Sequence, residues 1–220
     1  MNAQDLRLDY FKIYSIRDVQ VDYKVALKGQ FDQEPEAAEL MLLDYFATVV
    51  SKNDEPIYDK NANLTWYCLT TPFPEPQRVV QIENQFGQHE IVIGKARGLL
   101  APAPRRSIDL LRTRLDHFKL YEVLNGKALE QWVAIKDQFG EEKVEIYCPI
   151  YFGTPVQKTY NDKNSPIHNE KAHLIIYRIT PTQRLIRPIL VRDQFRQSYV
   201  QFLWDVGLAI PSLKLKWDEI

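Results

Sequence analysis

The sequence predicts an all-β protein made of two similar domains, each a pseudo-twofold pair of three-stranded units. Three observations predict this fold class: a fourfold repeat of landmark residues, a period-two alternation of apolar residues before one landmark, and a proline-rich link at mid-chain. A three-stranded unit cannot bury both of its faces, so two units are expected to pack as a small sandwich or barrel. One continuous assembly of about twelve strands is the alternative.

The dipeptide Gln-Phe recurs at four nearly evenly spaced positions, and three further landmarks keep near-constant distances from it at each of them. A tyrosine precedes each Gln by 16 to 18 residues, a Val or Pro follows each Phe by 16 to 18 residues, and a Lys or Arg comes three residues later. This pattern indicates four copies, units one to four, of one unit of roughly 45 residues. The landmarks are Tyr14, Gln30, Phe31, Val49 and Lys52; Tyr67, Gln85, Phe86, Pro102 and Arg105; Tyr121, Gln138, Phe139, Pro155 and Lys158; and Tyr177, Gln194, Phe195, Pro211 and Lys214.

The units also pair at a higher level. The stretch from Leu8 to Tyr14 returns from Leu115 to Tyr121, and Asp59-Lys60-Asn61 resembles Asp162-Lys163-Asn164. Between the two halves, the prolines of segment 101–107 lack backbone N–H groups and favour an extended link. We therefore predict a first domain at residues 1–105 and a second at residues 106–220, each able to fold alone.

Apolar residues alternate with charged residues before each Gln-Phe. In unit two, Val80 and Ile82 lie on one face and Glu83 on the other, which is the period of a half-buried strand. The tyrosine segment and an apolar run after the Phe supply two more strands, so about twelve strands are expected in the chain. The residue before each Gln, here named the turn position, is of a type that suits a bulge or a strand-end turn. The turn positions are Gly29, Asn84, Asp137 and Asp193.

The segment from Glu36 to Leu43 gives two conflicting signals. Its residues favour a helix by intrinsic propensity, whereas its place in the repeat aligns it with strands of the other three units. Tertiary context overrides propensity, so we predict a strand there.

Three motifs of the second half resemble those of an uncharacterised bacterial family of tandem β-rich domains. They are Asp116 to Tyr121 (Asp-His-Phe-Lys-Leu-Tyr), Asp137 to Gly140 (Asp-Gln-Phe-Gly) and Ala172 to Tyr177 (Ala-His-Leu-Ile-Ile-Tyr). With weaker counterparts in the first half, the resemblance covers nearly the whole chain. It implies a tandem β-rich fold and implies no activity.

Composition and charge exclude several classes of protein. With 220 residues, 45% hydrophobic and 26% charged, the chain has a globular composition. A formal net charge of -1 gives no field that would attract nucleic acid. No apolar window is long enough for a membrane span, and the N-terminus lacks a signal-peptide pattern. We predict a cytoplasmic protein whose two cysteines, Cys68 and Cys148, are reduced.

Residues shared by all four units are expected to serve the fold, so residues specific to one unit are the better functional candidates. His117 and His173 occupy the same repeat position and could bind a metal if they met, but no third ligand has suitable spacing. Asp59 and Asn61 alternate as in a calcium loop, without the central Gly or the distal Glu. The sequence therefore nominates no catalytic, cofactor-binding or metal-binding residue, and no cofactor.

Four tryptophans lie in or beside predicted strands, where large aromatic residues belong to a β core or stack on a sugar or base. They are Trp66, Trp132, Trp204 and Trp217. The final stretch from Leu213 to Trp217 alternates apolar and basic residues, which suits an edge strand or a partner-binding segment.

The leading functional hypothesis is a non-catalytic interaction or assembly module that binds another protein or itself. Duplicated β units supply a stable scaffold, and their loops supply contacts. One alternative is a ligand-binding domain, with carbohydrate as a candidate ligand, which exposed Trp or Tyr side chains beside a groove would favour. The other is an enzyme of unrecognised type, which a pocket joining unit-specific His, Asp or Glu would favour.

Overall fold

A computed structural model describes residues 6–105, 113–181 and 188–220 of the protein. These residues form twelve β-strands in one antiparallel sheet, which confirms the all-β fold class. The strands are β1 (Tyr10–Lys28), β2 (Glu36–Lys52), β3 (Asn63–Thr70), β4 (Arg78–Asn84), β5 (Gly87–Pro102), β6 (His117–Val123), β7 (Gln131–Lys136), β8 (Glu141–Tyr160), β9 (Lys163–Ser165), β10 (His173–Ile179), β11 (Pro188–Arg192) and β12 (Gln197–Glu219).

The twelve strands are not distributed as three in each unit, as the sequence predicted. In unit one, the first two predicted strands are continuous as β1, because the span from Tyr10 to Lys28 contains no Gly or Pro to interrupt it. The corresponding links of units two, three and four contain such residues, among them Pro74, Gly126 and Pro181. The short β9, which the sequence did not predict, restores the count. The segment from Glu36 to Leu43 lies in β2, so the strand prediction there is confirmed.

Eight strands of the described chain close into a ring, in the order β1, β12, β10, β8, β6, β5, β3 and β2, with β2 pairing again with β1. The strands before residue 105 form one side of the ring, and those after residue 113 form the other. Two seams join the sides: β1 with β12, where Phe11 faces Ala209, and β5 with β6, where Leu100 faces Phe118. The sheet thus corresponds to the continuous alternative.

The proposed boundary between residues 105 and 106 adjoins residues 106–112, which lie outside the described residues. Independent folding of residues 1–105 and 106–220 therefore stays a prediction.

Two hydrophobic clusters pack on opposite faces of the sheet. Along β1, Phe11 and Ile13 belong to the smaller cluster, while Tyr10 and Tyr14 belong to the larger, as strand alternation requires. The larger cluster contains all four landmark tyrosines, each at most 1% exposed. Both faces of the sheet are therefore covered, which explains how the described strands build a core from one sheet.

Each landmark tyrosine packs against the unit two places away from its own in the chain. Its aromatic ring meets the Phe of that unit's Gln-Phe edge to face, with ring centres 5.2 to 5.6 Å apart. This is the favoured geometry for aromatic pairs, so the Tyr and Phe landmarks hold opposite units together. The four pairs are Tyr14 with Phe139, Tyr67 with Phe195, Tyr121 with Phe31, and Tyr177 with Phe86.

The tyrosine hydroxyls bind the turn positions of those same opposite units. Tyr14 donates to Asp137 and Tyr67 donates to Asp193, each at 2.5 Å, and burial is the main cause that raises the pKa of both tyrosines. Asn84 donates to the hydroxyl of Tyr177 at 3.0 Å. The fourth turn position is a glycine, so its tyrosine has no such partner.

The turn side chains also accept hydrogen bonds from the backbone N–H two residues ahead. Asp137 accepts from Phe139 at 2.7 Å and Asp193 accepts from Phe195 at 2.8 Å. Asn84 accepts from Phe86 at 2.9 Å. The expectation of a side-chain-capped turn before each Gln is therefore confirmed for these three units.

Candidate functional site

The strand before the turn position has its outer edge covered in three of the four units. The cover is the tail of another unit, which we define as the residues around its landmark Lys or Arg. The end of β1 pairs with β8, β4 pairs with β12, and β7 pairs with β2. In each case the landmark Lys or Arg is paired in register with the residue two positions before the turn position. The opposed pairs are Leu27 and Lys158, Ile82 and Lys214, and Ile135 and Lys52.

The fourth such strand, β11, pairs only with β12 within the described residues. Applied to unit four, the shared register would place Arg105 opposite Val191 and Pro104 opposite Arg192. Proline has no backbone N–H and cannot complete a ladder at that point. The outer edge of β11 thus lacks the cover that the equivalent edges have.

The backbone of the tail of unit two is directed toward β3 instead. Ala103 donates its N–H to the carbonyl of Asn63 at 2.8 Å, and Arg105 donates to the carbonyl of Asn61 at 3.2 Å. The donors that flank Pro104 are therefore already used on the side away from β11.

The hydrogen bonding of the β11–β12 hairpin determines which groups the uncovered edge presents. Asp193 donates its N–H to the carbonyl of Arg196 at 3.0 Å, and Leu190 lies opposite Tyr199. Because alternate residues of an antiparallel pair bond to the partner strand, Leu190 and Arg192 direct their N–H and C=O groups outward. Such a row of free groups is a template for another strand.

A groove of about 300 Å³ lies between β11 and the tail of unit two. Among the residues that the structure describes, its charged lining residues are Arg105 and Arg192, and none of the lining residues is a carboxylate. Next to it, Leu190 is 47% exposed and the facing Tyr199 is 72% exposed. The groove and the edge together offer backbone hydrogen bonds, an apolar surface and positive charge.

A second concave site, here named the twofold cavity, has a volume of about 240 Å³ and adjoins the smaller hydrophobic cluster. It is lined by matching residues from both halves of the chain, so it lies where the duplicated loops meet. Five of the matching pairs are Arg7 and Arg114, Asp9 and Asp116, Phe11 and Phe118, Tyr58 and His168, and Asp59 and Asn169.

Two buried aspartates anchor the loops of this cavity. Asp9 accepts backbone N–H groups from Tyr58 at 2.6 Å and from Asp59 at 2.8 Å. Burial raises the pKa of Asp9, and the two N–H groups counteract part of that rise. In the other half, Asp116 accepts two backbone N–H groups in the same way, at 2.7 and 2.9 Å. Sequence reasoning missed this role, although the repeated Leu-Asp before each aromatic stretch carried the signal.

A family model described as a repeat of unknown function (DUF7450) matches residues 63–205. The chain belongs to this family. The match begins in β3 and ends in β12, so it spans units two, three and four almost completely. A search of curated proteins and a search of solved structures each found no match. The expectation of an uncharacterised repeat family is confirmed, and its bacterial origin stays a prediction.

The DUF7450 structure corrects one correspondence drawn from the sequence. Asp59 matches Asn169, because the backbone N–H of each is bound by an anchoring aspartate. Asp162 matches Asp54 instead: the turns Asn53-Asp54 and Asn161-Asp162 both have two positive φ angles in succession, between 47° and 63°. Two such residues form a tight hairpin turn, for which Asn and Asp are suited. The stretch Asp162-Lys163-Asn164, which resembles Asp59-Lys60-Asn61 in sequence, therefore begins in a hairpin turn and is not the structural counterpart of that stretch.

The two histidines of the metal hypothesis lie on β6 and β10, the strands that flank β8. Both are buried, and each contacts a landmark Gln rather than the other histidine: His117 contacts Gln194, and His173 contacts Gln30 at 3.3 Å. In the described part of the DUF7450 chain, no three His, Cys, Asp or Glu side chains are grouped to hold a metal ion. The structure does not bring His117 and His173 together.

We expect His173 to make the protein less stable in mild acid. Burial lowers the pKa of His173 to about 4, from an ordinary value of 6.5. The unfolded chain therefore binds the proton more readily, and this contribution to stability, complete above pH 6.5, is lost as the pH falls toward 4. At pH 5 the loss is about 2 kcal/mol. Urea unfolding at pH 7 and pH 5 tests this.

The matched variant is His173→Asn, since Asn63 occupies the same repeat position in unit two. Its decrease in unfolding free energy between pH 7 and pH 5 is expected to be smaller than that of the wild type by about 2 kcal/mol. An equal decrease in both proteins would contradict the assignment.

The tryptophans divide between core and surface. Trp66 is buried against Tyr45 and Tyr151, whereas Trp132 and Trp204 are 55% and 46% exposed. Trp217 packs on Phe31 with ring centres 5.0 Å apart. The sequence of the tail from Leu213 to Trp217 suited either an edge strand or a partner-binding segment. In the structure this tail is a strand that pairs with β4 of the same chain.

Cys68 and Cys148 are unpaired, and burial is the main cause that raises the pKa of the Cys68 thiol. In the part of the DUF7450 chain that the structure describes, no helix is long and apolar enough to cross a membrane. The cytoplasmic location stays a prediction.

Proposed function

We propose that this chain is a non-catalytic protein-interaction module that receives an extended segment of another protein along β11. The observation that carries this proposal is the uncovered edge of β11, at the one place where Pro104 replaces a residue able to complete the ladder. Strand addition gives affinity through main-chain hydrogen bonds and specificity through alternate side chains. The three equivalent edges of the same fold each hold an extended segment, which supports a strand as the occupant.

Charge defines the chemistry of the partner segment. Arg105 and Arg192 line the groove without a carboxylate among its lining residues, and Leu190 and Tyr199 add apolar surface. An extended peptide that alternates acidic and apolar residues complements both features. Two copies of this protein would bring Arg192 of one against a like-charged edge of the other, which is destabilising in a strand pair, so another protein is favoured over self-association.

The enzyme hypothesis rests on a single observation, the hydrogen bond between Asp116 and His168. The Nδ1 atom of His168 lies 3.0 Å from Asp116, but that carboxylate already anchors a loop through two backbone N–H groups. No Ser, Thr or Cys nucleophile lines the cavity among the described residues. We therefore do not propose catalysis.

Peptide display tests the interaction proposal. A phage library of random linear peptides of about ten residues, long enough to pair along a whole strand, is selected against the purified protein. We expect enrichment of peptides with alternating acidic and apolar residues, and their affinities are measured by fluorescence anisotropy. An absence of enriched peptides would argue against the proposal.

The decisive variant is Arg192→Pro, which removes an outward N–H without removing a bond of the β11–β12 ladder. The selected peptides are expected to bind it at least about tenfold more weakly. Arg192→Ala is the matched control, because it removes the same charge and keeps the N–H, so its effect should be smaller. Circular dichroism confirms that both variants fold. Equal binding by wild type and Arg192→Pro would show that the peptides do not add to β11.

A further inference from the structure

We infer that the twofold cavity is a second binding site, specific for a small neutral carbohydrate. This site is independent of the β11 edge, because no residue lines both the cavity and the groove. Its apolar wall includes Phe11 and Phe118, and polar side chains from both halves complete the lining. A cavity of about 240 Å³ lies just below the usual range for drug-sized ligands, roughly 300–1,000 Å³, and so suits a molecule as small as a monosaccharide.

The charges of the lining select a neutral ligand. Two arginines and three aspartates line the cavity, so a simple anion would meet an excess of negative charge and a simple cation would meet two guanidinium groups. Arg7 and Arg114 are both exposed and have no ion pair within the described residues. Guanidinium groups only donate hydrogen bonds and carboxylates only accept them. A ligand with several hydroxyl groups, each able to donate and accept, can satisfy both kinds of partner.

The differences between the two halves lie on the loops of the cavity. The arginines, the anchoring aspartates and the phenylalanines are the same in both halves. In contrast, Tyr58 in the first half corresponds to His168 in the second, and Asp59 corresponds to Asn169. A cavity in which every pair was identical would bind a ligand equally well in two orientations. The two differing pairs remove that ambiguity, which suits an asymmetric ligand such as a sugar.

Tyr58 provides a side chain that can be tested without disturbing the core. It is 63% exposed and lines the cavity, so its ring can cover an apolar face of a sugar while its hydroxyl remains solvated. Across the cavity, the Nδ1 atom of His168 lies 3.0 Å from Asp116, and the second ring nitrogen, Nε2, is a further hydrogen-bonding atom.

Saturation-transfer NMR with glucose, galactose, mannose and N-acetylglucosamine, each added alone to the full chain, tests this inference, with citrate as an anionic control. We expect transfer to at least one sugar and none to citrate. For that sugar, Tyr58→Ala is expected to raise Kd by about tenfold, whereas Phe73→Ala, which removes an exposed aromatic side chain that lines neither the cavity nor the groove, leaves Kd unchanged. Transfer to none of the sugars, transfer to citrate, or an unchanged Kd in Tyr58→Ala would each overturn the inference.

Discussion

Residues 1–105 and residues 106–220, produced as separate chains, are each expected to lack a cooperative unfolding transition. The sequence predicted the opposite, because the prolines near residue 105 suggested a boundary between domains. The structure favours mutual dependence, since the strand ring closes only when both halves contribute. Either half alone would expose the seam edges of two strands, β1 and β5 in the first half or β6 and β12 in the second.

Buried polar contacts across the halves strengthen this expectation. Lys12 forms ion pairs with Glu142 and Asp205 of the second half, and Tyr14 donates to Asp137. In a separated half these groups would lose their partners, and a buried charge without a partner costs several kcal/mol. The loss of these hydrogen bonds and ion pairs is therefore expected to destabilise either half when it is produced alone.

Far-UV circular dichroism and urea titration of each half measure the outcome. Mixing the halves is expected to restore the transition, and a full chain cleaved after folding at a protease site placed between residues 105 and 106 is the control, expected to stay folded. If each half unfolds cooperatively by itself, the two-domain interpretation of the sequence is right and the dependence argued from the seams is wrong.

The variant Lys119→Met is expected to lower the free energy of unfolding by about 3–5 kcal/mol, the usual cost of breaking a buried ion pair. The Lys119 side chain is fully buried, and its ammonium lies 2.6 Å from Glu75, 2.9 Å from Glu36 and 3.6 Å from Asp32. Methionine has similar bulk, so the main change is three carboxylates that lose their shared cation.

The pH range in which Lys119 is charged determines where the full effect of Lys119→Met can be measured. Burial opposes that charge, but the surrounding acidic groups outweigh burial and raise the pKa of Lys119 above its ordinary value. Because folding raises the pKa of Lys119, its contribution to stability is complete below the pKa of the unfolded chain, near 10.5. That contribution is lost only as the pH rises through the pKa of the folded state. Urea unfolding at pH 7 therefore measures the full effect.

Lys136→Met is the matched control for this variant. Lys136 pairs with Glu141 at 3.3 Å, but both side chains are more than 60% exposed, and exposed pairs contribute about 0–1 kcal/mol. A loss below about 1 kcal/mol in Lys119→Met, similar to that of the control, would contradict the role assigned to the buried cluster.

Local patterns were sufficient for the strands and their turns. Alternation before Asn84 and Asp137 predicted β4 and β7, and the repeat identified a strand at Glu36 to Leu43 where propensity favoured a helix. These predictions succeeded because a repeated unit gives the same environment to matching residues. The continuity of β1 was missed because a break between strands was expected in unit one by analogy with the other units. The sequence of unit one contains no Gly or Pro at that place, so the strand continues.

The candidate sites were less accessible to sequence reasoning. Pro104 was interpreted as part of a link between domains, and its consequence for Arg192, far away in the chain, depends on the register of four tails. Likewise, Asp9 and Asp116 were seen as parts of a duplicated stretch, but the loops that they anchor follow some 50 residues later. Contacts of this range have no local signature.

The sequence by itself determined the fold class, the fourfold repeat and the turn chemistry, because all three depend on residues that are close in the chain. Only the tertiary structure decided that the units close into one ring, that opposite units meet through Tyr14 and Phe139 and their equivalents, and that one of four equivalent edges has no partner strand among the described residues. The physical reason is that strand pairing is satisfied by any partner with free N–H and C=O groups. The choice among partners is made by the packing of the whole chain.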